Sequence, residues 1–340
     1  MGYERWKNKN ISVAIIMALF FLFVGLALFL LFGPPVQRKP PAPPPGPPPV
    51  KIEKKPLAPE IVQRYSQEPV ISIYMEDTGE VRWMKIEDYL PGVVAAEVEP
   101  TWPVEALAAQ AIVSRTLTLF TMVHKLTPRQ LHGTDACTSP AHLQAYDEKK
   151  VNDNVRKAVE MTRGQILAFD GNIIQALYHS CSGGQTATPE EGFPWLEGPA
   201  PYLVSVTSPC PQEAPEKEKV WKASIPKYEL REAVGWDAGP VETVEITRRG
   251  PSGRAIEFKV GQKTIGGPEL RRRLGSDRFR STLITEIAAT ADSIVFTGRG
   301  WGHGVGLDQW GAFALANGGK KYADILVYYF PGTYLYQLWR

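Results

Sequence analysis

At 340 residues, 44% of them hydrophobic and 22% charged, the chain can hold one large domain or two ordinary ones, and its core needs no disulfide framework. The formal net charge of +2 favours no class of partner. No basic run with interleaved aromatics and no nucleic-acid motif occurs, which sets nucleic acid aside.

The first ten residues carry Arg5, Lys7 and Lys9 against Glu4, and 22 uncharged residues follow from Ile11 to Phe32. That length spans a hydrocarbon core of about 30 Å, and the flanking charge places residues 1–10 in the cytoplasm. A signal anchor over 11–32 fits better than a cleaved signal peptide, because no small-x-small site follows Phe32. Arg38 and Lys39 on the far side weigh mildly against it. The segment 33–59 is a proline-rich spacer, with 12 of the chain's 30 prolines between Pro34 and Pro59, and favours extended polyproline II. The rest, 60–340, is expected outside the cytoplasmic membrane.

Val70–Met75 and Val81–Ile86 read as strands about the turn Asp77-Thr78-Gly79. A helix capped by Asp88 then ends near Glu97, and Pro103 opens a second with one buried face from Val104 to Leu119. Glu97 closes the apolar run Val93-Val94-Ala95-Ala96, where a poorly solvated carboxyl is a candidate proton donor. It could instead be a structural acid that caps the next helix or pairs with Arg115, which lies among apolar positions and is a candidate partner for an acid or a substrate oxygen. His132, Cys137 and His142 share a short loop and form a metal-like cluster. Asn152–Thr162 reads as a helix, Gln165–Phe169 and Ile173–Tyr178 as a hairpin, and Pro201–Ser208 as a further strand. Tyr178, His179, Ser180 and Ser182 fall on a small-residue loop. From about 213 to 290 the composition shifts to an inserted lobe, with a short helix in WKASIPKYELREAV, a β-meander and the helix GGPELRRRLG. The chain then runs through GRGWGHGVGLDQWGA, a glycine-rich turn that presents Trp301 and His303 and leads to Gln309 at a helix start. Trp faces stack on sugar rings, and exposed amides bind hydroxyls. The pattern is α+β: mixed helices and short antiparallel sheets, with a smaller β-rich inserted lobe. Cys181 and Cys210 flank one strand–loop unit and are the first choice for a disulfide, leaving Cys137 free or on a metal.

Four segments in this order, EDYLPGVVAAEVEPTWPVEALAAQAIVSRT (87–116), ALYHSCSGGQTA (176–187), PYLVSV (201–206) and GRGWGHGVGLDQWGA (298–312), resemble the SpoIID/LytB family. The resemblance implies a lytic transglycosylase acting on peptidoglycan strands stripped of stem peptides, with the acid falling on Glu97. It implies a cleft wall at Tyr178–Ser182, and engulfment partners: an amidase and a recruiting membrane protein. Some members carry a structural zinc held by two histidines and two cysteines. Here the final His-Cys pair reads His142-Leu143, so the fourth ligand is missing unless the fold brings Cys181 close. The LytB branch implies a different class, a non-catalytic wall-binding enhancer of an amidase.

Overall fold

A computed structural model describes residues 55–196 and 198–340. The membrane segment 11–32 and most of the spacer lie outside the described residues. The fold is α+β, with helices mixed among short sheets. After α1 (Pro59–Arg64), β1 (Val70–Tyr74) and β2 (Val81–Lys85) form an antiparallel hairpin in the register Val70↔Lys85 to Tyr74↔Val81. α2 spans Ile86–Glu97, so Lys85 precedes it and Asp88 is a first-turn acid rather than the cap. An acid there still favours the helix dipole.

α3 (Val104–His124) is the centre of the molecule. Every residue from Ala106 to Thr121 is buried, not one face only, because the chain packs around the whole helix. It is the only described helix long and apolar enough to cross a membrane, and it lies in the core. Its polar residues are matched inside: Arg115 makes a bidentate pair with Glu87 at 2.9 and 2.6 Å and also donates to the Gln165 carbonyl. Glu87 further accepts from Gly164 N and Trp339 Nε1, both at 2.9 Å. Such a pair offsets its desolvation only when fully hydrogen-bonded, as it is here.

α4 (Thr127–His132) leads to β3 (Ala136–Cys137), which pairs parallel with β1. α5 (Asp153–Met161) is capped by Asn152, whose side chain accepts from Val155 N. β4 (Gln165–Phe169) pairs with β14 (Tyr334–Gln337) and with the two-residue β5 (Asn172–Ile173). The expected second strand thus breaks after Ile173, and β6 (Tyr178–His179) instead pairs parallel with β13 (Leu307–Asp308). Pro201–Ser208 forms no strand and contributes a single bridge, Gln185↔Thr207.

The one-turn helices α6 (Pro189–Gly192), α7 (Cys210–Glu213) and α8 (Glu216–Lys219) lead into the lobe. There β7 (Val220–Pro226) and α9 (Lys227–Val234) replace the single expected helix. The strands β8 (Val244–Arg249), β9 (Ala255–Val260) and β10 (Lys263–Gly266) form the meander, followed by α10 (Gly267–Leu274). β11 (Ile284–Ala289) and β12 (Ser293–Arg299) pair with β7 in the order β11-β12-β7. The lobe's core runs from Trp221 through Phe258 and Phe279 to Phe296, so its last strand lies beyond the expected boundary at 290. The chain returns through α11 (Gln309–Asn317) and α12 (Tyr322–Tyr329) against α3.

Candidate active site

The acid's position follows from the end of α2. Val93, Val94 and Ala95 are buried against α3, and the helix stops at Glu97, which leaves that carboxylate partly buried and facing a cleft. Ala145 N donates to its Oε1 at 2.6 Å, and the Tyr178 hydroxyl and Gln309 side chain are further hydrogen-bonding neighbours. Burial pushes the Glu97 pKa up, and these three donors pull it back only in part. Gln309 also donates to the Glu97 carbonyl at 3.2 Å and reaches Gln110 Oε1 at 3.4 Å, tying α11 to α2 and α3. Gln144 Oε1, 3.3 Å from the Tyr178 hydroxyl, competes with Glu97 for its single proton.

Two cavities meet at this acid, one of about 670 Å³ and one of about 400 Å³. Both are lined by Ala96, Glu97, Ser180, Glu218 and Gln309. The larger extends past His142 and Phe193 to Arg271 and Trp301; the smaller runs past Trp102, Lys150 and Lys217 to Trp310. A groove that continues from an acid in two directions suits a polymer better than a small molecule.

The glycine-rich turn builds one wall. Trp301 and Cys181 exchange backbone hydrogen bonds at 2.8 and 3.1 Å, and Cys181 forms a disulfide with Cys210. Gly304 has φ +85°, and a Cβ there would lie 2.5 Å from Arg254 Cζ, so only glycine fits against that guanidinium. Arg254 is fully buried and donates to the Ser182 and Gln185 carbonyls at 2.7 and 2.9 Å, fastening the lobe to the cleft wall. Trp301 faces the cleft and carries Arg280 over its ring at 4.1 Å. His303 Nδ1 accepts from Val305 N at 3.1 Å, and burial, then the Arg271 charge, bring its pKa down to about 3. It is a neutral imidazole with its tautomer set.

Among the expected cleft residues, Tyr178, His179, Ser180, Trp301, His303 and Gln309 line the larger cavity with Glu97. Ser180 Oγ donates to Glu218 Oε2 at 2.8 Å. His179 is almost wholly buried, with Nδ1 on the Val305 carbonyl and Nε2 3.9 Å from Asp308. Two expectations are corrected. Ser182 is fully buried: its N–H serves Asp308, and its Oγ receives Gly184 N, so it supports the wall without facing the cleft. Arg115 is committed to Glu87 in the core and has no exposed surface for substrate.

The loop residues do converge. His132 Nε2 lies 3.1 Å from His142 Nδ1, and Cys137 Sγ lies 3.5 Å from the same nitrogen. Cys181 is held in its disulfide and cannot serve as the fourth ligand. Glu76, just past β1, is the fourth donor within reach: its Oε2 is 3.8 Å from His142 Nδ1 and 3.9 Å from Cys137 Sγ. Tetrahedral zinc with bonds of about 2.0–2.3 Å needs ligand atoms roughly 3.3–3.8 Å apart, and this donor set fits with small adjustments. Glu76, Gln144, Ala145, Glu218 and Arg271 were not singled out from sequence. Glu76 and Arg271 look like ordinary surface charges there, and a backbone N–H carries no side-chain signal.

The arrangement is an open cleft with one desolvated acid where two cavities meet. Residues 74–169 match the family described as "Stage II sporulation protein", and 214–306 match a "Domain of unknown function (DUF8618)". An uncharacterized protein of Brachyspira hyodysenteriae is 32% identical over 258 residues, covering 74% of this chain and 67% of its own. Stage II sporulation protein D of Bacillus subtilis is 31% identical over 278 residues, covering 77% and 78%. The amidase enhancer of the same organism is 28% identical over 301 residues, 72% of this chain but 40% of its own length. The chain belongs to the SpoIID/LytB family.

Proposed function

We propose that the protein is a lytic transglycosylase cleaving the bond between N-acetylmuramic acid and N-acetylglucosamine in peptide-stripped peptidoglycan. The observation that carries this is Glu97: an acid with a raised pKa where two cavities meet. Its proton passes to the glycosidic oxygen as the C1–O bond breaks. The muramic acid C6 hydroxyl then attacks C1 and returns its proton to the Glu97 carboxylate, leaving a 1,6-anhydro end and a restored acid. Ala145 N and Tyr178 stabilise the carboxylate between the two transfers. Neutral His303, the Trp301 face and Gln309 position the sugars. The anchor over 11–32 would hold the cleft on the outer side of the membrane. A role in engulfment beside an amidase and a recruiting membrane protein belongs to this reading, and the similarity to stage II sporulation protein D supports its sporulation part.

The second reading is a non-catalytic amidase enhancer, supported by the similarity to that protein. Glu218 on the cleft also allows for a water-activating base. One experiment separates them: full-length protein and its Glu97→Gln variant on purified peptide-free strands, with products analysed by mass spectrometry. Anhydromuramic ends from the wild type alone support transglycosylation. Reducing ends point to hydrolysis, and strand retention without cleavage by either protein points to the enhancer.

A structural zinc ion on Glu76, His132, Cys137 and His142 belongs to the same reading, supported by the ligand separations above. It would brace the 132–142 loop against the β1–β2 hairpin, three residues before the amide that serves Glu97. One zinc per purified chain, lost in Glu76→Gln, is the expected metal analysis; no zinc in the wild type would remove the ion from this account.

A further inference from the structure

The sequence Arg271-Arg272-Arg273 on α10 looks like one solvated charge run, but the three side chains diverge. Arg272 and Arg273 both clamp Glu269, at 2.7 and 2.5 Å. Arg271 turns to the cleft instead and lines the larger cavity with Glu97, Trp301 and His303. Its Nε donates to the Arg280 carbonyl at 3.1 Å, and among the described residues its two terminal nitrogens donate to nothing. No carboxylate of the described residues makes an ion pair with it; Asp277 acts on it only as a nearby charge. Its field reaches into the site, since it helps hold both His179 and His303 neutral. A half-buried guanidinium with a free fork beside a cavity is costly unless an anion completes it, and the matching geometry is a carboxylate.

We propose that Arg271 binds the free lactyl carboxylate of a muramic acid residue and so makes the cleft selective for glycan without stem peptides. This rests on the peptidoglycan reading above. The glycan's acetamido and hydroxyl groups are neutral. The lactyl group is an anion when no peptide is attached and an uncharged amide when one is. The lobe matched to a domain of unknown function would thereby supply the element that distinguishes stripped from unstripped strands.

The test uses full-length protein in a Glu97→Gln background, to prevent turnover, and measures binding to three probes. These are peptide-free strands, peptide-bearing strands, and chitin oligosaccharides, which have the sugars but no lactyl group. Arg271→Gln should weaken binding to peptide-free strands tenfold or more, leave chitin oligosaccharides unchanged, and be partly rescued by Arg271→Lys. Equal loss on chitin oligosaccharides would show a structural role, and loss confined to peptide-bearing strands would assign the carboxylate to the peptide; either overturns the proposal. So does unchanged binding to peptide-free strands in a variant otherwise like its parent. A parent protein that binds none of the three would instead overturn the peptidoglycan reading itself.

Discussion

The Ala145 amide donates a 2.6 Å hydrogen bond to Glu97 Oε1 from a residue 48 positions away in the chain. The acid's strength is therefore set jointly by the end of α2 and by a loop with no regular structure. Burial raises the pKa, while the amide, Tyr178 and Gln309 lower it.

Tyr178→Phe removes one of those donors, so the Glu97 pKa should rise further. A general acid must begin protonated, and its activity falls as pH rises through its pKa. The alkaline limb of the strand-cleavage profile should move up by about one pH unit, the scale of one lost hydrogen bond. A limb that stays in place, or moves to lower pH, would contradict this role for Tyr178.

Glu97→Gln should stabilise the fold near pH 8 and do little at pH 4. The folded pKa lies above the unfolded value of 4.5, so the native state holds the proton more tightly. Stability is then fully present below pH 4.5 and is lost as pH rises through the folded pKa. Glutamine carries no such penalty. Melting temperatures of both proteins at the two pH values check the sign, and a higher Tm for wild type at pH 8 would refute it.

Arg115→Gln should destabilise by about 3–5 kcal/mol, because it strands the Glu87 carboxylate in the core with only two N–H donors. Urea midpoints give the value. A loss within about 1 kcal/mol, typical of surface pairs, would mean the pair is less committed than its geometry indicates.

Gly304→Ala should cost roughly 1–3 kcal/mol from the positive φ alone, and more if Arg254 is displaced. Because Arg254 fastens the lobe to Ser182 and Gln185, limited proteolysis of the lobe should accelerate in the variant. An unchanged cleavage rate alongside a lowered Tm would limit the effect to the turn.

Local patterns carried much of the fold. The β1–β2 hairpin, α5, the meander and α10 follow from turn residues, a cap and periodicity over short windows. The poor solvation of Glu97 was legible because an acid ending an apolar run is a local anomaly. What depended on distant contacts was not. Ile173–Tyr178 reads as one strand, yet its two ends pair with different partners, β4 and β13. Arg115 and Ser182 resemble cleft residues in their motifs, but the core closes over both. Glu76 lies 56 positions before the nearest histidine of its cluster, and no spacing rule reaches that far.

Trp339 donates its indole N–H to Glu87 across 252 positions. The buried charge at the start of the domain therefore lacks one donor until residue 339 has been made. The start of α2, whose far end carries Glu97, is thereby fastened to residue 339. A chain cut back before Trp339 would thus leave the buried Glu87 carboxylate one donor short.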